Sequence, residues 1–87
     1  MVVIMTSIEV LKMDGCTESE ARKHLENGTT VFEDIDFENN LESYLDEWNI
    51  EEEDRAEYRK MVAEKKPVTD WGIVGHGEKT YYIQYCL

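Results

Sequence analysis

Proline is almost missing from this 87-residue chain, which holds it once, at Pro67. Glycine numbers five and cysteine two, and Lys and Arg together reach nine against twenty carboxylates. So little proline and glycine excludes a collagen-like or linker-type composition. Cys16 and Cys86 are too few for a disulfide framework, which points to free thiols in a reducing, cytoplasmic setting. The apolar start, Met1-Val2-Val3-Ile4-Met5, has no basic flank and is far too short for a signal peptide or a membrane span. Met5 offers an alternative start, so residues 1–5 are expected to form a tail on a single domain covering 1–87. The shortage of cations argues against direct nucleic-acid binding, because an acidic surface repels phosphates.

What the chain has in plenty is negative charge, and it is concentrated. The formal net charge is −11. The stretch from Glu33 to Glu57 holds twelve carboxylates and one cation, Arg55, while acids and bases cancel over the rest. A field that lopsided governs solubility and choice of partner rather than fold. Two Trp, five Tyr and two Phe within a 41% hydrophobic composition point to a folded chain, since disordered chains are poor in aromatics.

Local signals place the elements. Thr6 and Ser7 are suitable N-caps for a short apolar turn around Ile8, Val10 and Leu11 that Asp14-Gly15 ends. Thr17-Glu18-Ser19-Glu20 is a capping box opening a helix with Ala21, His24 and Leu25 on one stripe, closed at Asn27-Gly28. Thr29 to Phe32 is β-branched and aromatic, and reads as a strand. Leu41, Tyr44, Leu45 and Trp48 have the spacing of one buried helical face, on a helix that also carries Glu38, Glu42, Asp46 and Glu47. Asn49 with Glu52 suggests the start of another helix, with Tyr58, Met61 and Val62 as its stripe and Pro67 as its stop. From Trp71 onward the pattern is a hairpin about Gly75-His76-Gly77-Glu78, with Tyr81, Ile83, Tyr85 and Leu87 on one face and Tyr82, Gln84 and Cys86 on the other. The expected fold is α+β: a small antiparallel sheet, made of the C-terminal hairpin plus one strand, packed on one face against three to four helices.

No combination of residues reads as catalytic. Cys16, His24, His76 and Cys86 make a nominal zinc set, but no pair has the close spacing of structural zinc ligands. Asp36, Glu38, Asn40, Glu42 and Glu47 fall at calcium-loop positions, yet the obligatory glycine position holds Leu41. The acids have no nucleophile or phosphate loop nearby, and His24 lies two helical turns from Cys16. The expectation is a non-enzymatic domain without metal or cofactor.

The acidic run therefore reads as a binding surface. Glu38, Glu42 and Asp46 on one helix would repeat a carboxylate about every 6 Å, close to the phosphate repeat of a nucleic-acid strand. Joined by Glu47, Glu51 and Asp54, they form a face for a basic protein surface, with nucleic-acid mimicry as the sharper variant. Trp71 and Tyr82 are candidate aromatic contacts, and homodimerisation through the aromatic hairpin is the alternative reading.

Two resemblances add to this reading. Met13-Asp14-Gly15-Cys16, followed by Glu20-Ala21 and Leu25, resembles the first two helices of a ubiquitin-associated-type domain, with Cys16 where an aromatic is usual. Thr29–Phe32 stands where the third helix belongs, so no binding residues carry over. Glu26 to Phe32, Lys65-Lys66-Pro67, Asp70-Trp71-Gly72 and Tyr81-Tyr82-Ile83 are similar to small acidic proteins of Gram-positive gut bacteria and their mobile elements. That resemblance implies a bacterial accessory protein and supplies no activity.

Overall fold

Capping chemistry fixes the first two helices of the computed structural model, which describes residues 6–86. The expectations for residues 1–5 and for Leu87 lie outside the described residues. Thr6 accepts the Glu9 N–H at 3.2 Å while the Glu9 carboxylate accepts the Thr6 N–H at 3.4 Å, opening α1 (Ser7–Met13). Thr17 and Glu20 repeat the exchange, at 3.2 and 3.0 Å, to open α2 (Glu18–Glu26). Each box satisfies two otherwise orphaned amides.

The remaining elements are β1 (Thr30–Glu33), α3 (Asp34–Asn39), α4 (Leu41–Glu47), α5 (Glu52–Glu64), β2 (Trp71–His76) and β3 (Lys79–Gln84). This is the expected α+β architecture. The sheet order is β1-β3-β2, with β3 central and antiparallel to both neighbours. The hairpin turns at Gly77-Glu78, tighter than the four-residue loop expected. Gly77, at φ 63, supplies the left-handed first turn position that a two-residue connection requires.

Both sheet faces are covered, not one. Val74, Tyr81 and Ile83 pack with Val10, Leu11 and Ala21 beneath α1 and α2. On the opposite face Trp71 and Tyr82 pack with Phe37, Leu41, Leu45 and Met61 of α3, α4 and α5. The reason lies in β3, where Tyr81, Tyr82 and Ile83 are consecutive and all buried. Successive side chains point to opposite faces, so three apolar neighbours require cover on both.

The acidic stretch folds as three helices where the sequence suggested two. Asn40 (φ −114, ψ 15) interrupts it, and its side-chain amide donates to the Asp36 carbonyl at 2.9 Å. Asn49 ends α4 instead of starting α5. At φ 54 it sits left-handed, with its N–H on the Asp46 carbonyl (3.1 Å) and the Ile50 N–H on the Leu45 carbonyl (3.0 Å). That is a Schellman closure, which consumes Asn49 as the C′ residue. The N-cap of α5 is Glu51, without a side-chain cap bond.

Phe37 is the pivot of the second layer. It is wholly buried, with ring centroids 4.8 Å from Tyr82 and 5.2 Å from both Phe32 and Trp71. Phe37→Ala is expected to cost about 3–5 kcal/mol, a large share of what a domain this size has. Urea unfolding checks this, and a loss near that of an exposed substitution contradicts it.

Candidate functional site

Internal cations divide the twelve carboxylates of the acidic run into two populations. Arg59 on α5 grips Glu42 on α4 through two contacts, 2.7 and 3.1 Å, and reaches Glu52 at 3.3 Å. Arg55, the one cation of the run, donates to Asp46 at 2.5 Å and to the Ile50 carbonyl at 2.8 Å. Its side chain is only 18% exposed, so it fastens the α4–α5 junction from within. Lys65 (φ 56), just past α5, meets Glu38 at 2.5 Å and the Tyr82 hydroxyl at 2.8 Å. Asp34 accepts the Thr80 N–H at 3.1 Å and Asp36 accepts the Tyr44 hydroxyl at 2.7 Å, which raises the Tyr44 pKa above the ordinary phenol value.

The row expected on one helix is thereby broken. Glu38 belongs to α3, and Glu42 and Asp46 to α4, with Asn40 between them. All three are engaged by cations of the same chain. Among the described residues, Glu47, Glu51, Glu53, Asp54 and Glu57 are exposed and form neither an ion pair nor a side-chain hydrogen bond. These lie at the end of α4, in the α4–α5 turn and along the first half of α5. Glu53 and Asp54 stand in the first helical turn, where the positive end of the helix dipole favours them. Trp48 and Ile50 pack into the second core beneath this turn and hold the backbone that carries the free carboxylates.

The aromatic candidates are corrected by burial. Trp71 is 8% exposed and Tyr82 is fully buried. Trp71 lies among Phe32, Phe37, Trp48 and Tyr58, at centroid distances from 5.2 to 6.2 Å. A hairpin read as having one solvent face left both residues without cover, and α3–α5 supply it. Neither is placed to contact a partner.

The nominal zinc set is scattered, with one exception. Cys16 packs half-buried against the first cluster, and His76 is exposed at the hairpin turn. His24 and Cys86 share a groove of about 330 Å³ with Glu20, Lys23 and Asn27. Sequence spacing gave no sign of that meeting, because His24 and Cys86 lie 62 positions apart in the chain and only the tertiary fold brings them together. No group of three His, Cys, Asp or Glu able to hold a metal occurs among the described residues.

Compared with known proteins, the chain matches no family model, no curated protein and no solved structure. Within the described residues, no helix is long and apolar enough to cross a membrane.

The Glu42–Arg59 contact has a measurable pH signature. The Arg59 hydrogen bond holds the Glu42 carboxyl below the ordinary value of 4.5. A carboxylate with a depressed folded-state pKa stabilises above its unfolded pKa, and that stability is lost as pH falls through the folded value. Glu42→Gln is therefore expected to lower stability at pH 7, with a deficit that shrinks as pH falls below 4.5. Urea midpoints across that range test this, and a deficit that does not change with pH contradicts the assignment.

Proposed function

We propose that this is a non-enzymatic interaction domain that presents a fixed acidic surface to a basic partner protein. The supporting observation is the division of the carboxylates: the fold neutralises Glu38, Glu42 and Asp46 internally, and leaves Glu47, Glu51, Glu53, Asp54 and Glu57 exposed and unpaired on packed helices. Carboxylates held on a rigid scaffold engage a cationic surface with less ordering cost than a flexible acidic tail would. Their field also steers encounter with a positive partner, with a strong dependence on ionic strength.

The natural partner class is a protein whose basic surface serves nucleic acid, for which the acidic ridge competes. The ridge runs through a turn and a helix start, so it offers a compact patch and not the straight phosphate-like row that one continuous helix would have given.

Reversing Glu47, Glu51 and Asp54 to Lys is expected to abolish capture of partners from host lysate at low salt. Raising salt should release partners from the unsubstituted chain in the same way. Capture that survives both changes contradicts the proposal. Because these side chains form no ion pair or hydrogen bond within the described residues, the triple variant is expected to keep its fold, which circular dichroism verifies.

A further inference from the structure

We propose that the outer edge of β2 is a strand-docking site that takes an extended segment of a cationic polypeptide as a fourth strand of the sheet. This deepens the basic-partner reading and rests on it.

The register decides which backbone groups face outward. With His76 opposite Lys79 across a two-residue turn, the hydrogen-bonded pairs of β2 with β3 are His76–Lys79, Val74–Tyr81 and Gly72–Ile83. The Tyr85 N–H on the Asp70 carbonyl, at 3.0 Å, continues the same alternation one step further. Trp71, Ile73 and Gly75 therefore direct their N–H and C=O groups away from β3. The Trp71 N–H is taken by the Val68 carbonyl at 3.0 Å, which closes that end. Ile73 and Gly75 are left with donors and acceptors at the spacing an added strand needs. No backbone or side-chain bond to those outward groups occurs among the described residues.

Edge strands are usually blunted by charge, proline or a bulge. From Trp71 to His76 there is no Asp, Glu, Lys, Arg or Pro. The six pairs with β3 run without interruption, so there is no bulge. Gly75 is exposed, and a Cβ there would meet nothing within 4 Å. The other edge is different: β1 is four residues long, offers only Val31 and Glu33 outward, and runs directly into α3.

Charge selects the occupant. A second copy would bring another −11 to the same edge, whereas a cationic strand is attracted to it. The segment 66–69 that leads into β2 also forms one wall of a groove of about 460 Å³ and α5 forms the other; Glu57 and Glu64 line it together with Lys60 and Lys66. Main-chain bonds would supply affinity, and the overall negative field of the molecule would supply the preference for Lys or Arg.

The test uses the full chain and two synthetic probes: an acetylated, amidated peptide of alternating Lys and Val, and the same peptide N-methylated throughout. Both carry the same charge, but only the first can pair as a strand. At low salt the first is expected to bind at least about tenfold more tightly, the equivalent of one or two hydrogen bonds. It should also slow amide exchange at Ile73 and Gly75, and Gly75→Pro should remove the difference between the two probes. Equal binding of both probes, with exchange at Ile73 and Gly75 unchanged, overturns the edge site and leaves the acidic-surface reading standing. Binding of neither overturns both. Sedimentation showing a dimer with those amides already protected assigns the edge to a second copy instead.

Discussion

Strand β3 carries Tyr81, Tyr82 and Ile83 in succession, each buried and each facing opposite to the next, with a strand along either edge. The rest of the molecule is arranged around satisfying that segment. Its apolar faces call for one layer from α1 and α2 and another from α3, α4 and α5. Two tyrosine hydroxyls, those of Tyr82 and Tyr85, then fasten those layers. The Tyr82 hydroxyl accepts from Lys65, which also holds Glu38, so the end of α5 and the body of α3 are tied to the sheet at one point. Just past β3, the Tyr85 hydroxyl donates to the Asp14 carboxylate at the end of α1. Burial first, and then that carboxylate, hold the Tyr85 hydroxyl protonated well above the ordinary phenol range. The same approach explains the buried Gly72: a Cβ there would come 2.7 Å from the Asp14 carboxylate and 3.0 Å from the Tyr85 ring.

Charge is organised by the same scaffold. Helices α4 and α5 carry eight carboxylates against three cations, and they would repel if every carboxylate faced its neighbour unscreened. Arg55 and Arg59 project from α5 back towards α4 and cancel the carboxylates that face the seam. What stays uncompensated is displaced to the outer turn and the outer side of α5. Surface pairs of this kind contribute modestly to stability. Their larger effect is geometric, since they determine which acids remain available to another molecule.

Much of this was legible in local sequence. The Thr17 capping box, an N-cap at Thr6, the β1 strand, the hairpin and the stripes of α4 and α5 follow from short-range chemistry at Thr6, Thr17, Thr30 to Phe32 and Leu41 to Trp48, whereas the Glu9 half of the first capping box was not read. The other missed features depend on contacts distant in the chain. The run Tyr81-Tyr82-Ile83 did hold the signal for a strand buried on both faces, and Phe37, apolar between Asp36 and Glu38, marked the inward side of an extra helix. Asn49 is as good a C′ residue as an N-cap, and only the carbonyls of Leu45 and Asp46 decide between the two. Which carboxylates find a cation could not be read at all: Arg59 lies 17 residues from Glu42, and Lys65 lies 27 from Glu38.

The dependence of the whole fold on its central strand is open to one direct measurement, native-state amide hydrogen exchange. Amides buried in the last structure to open exchange only through global unfolding. The slowest amides should be those of Tyr81, Tyr82 and Ile83, with an opening free energy equal to that of denaturant unfolding. If the amides of α2 or α5 outlast them, the two helical layers hold together without β3, and the central strand is not what the structure rests on.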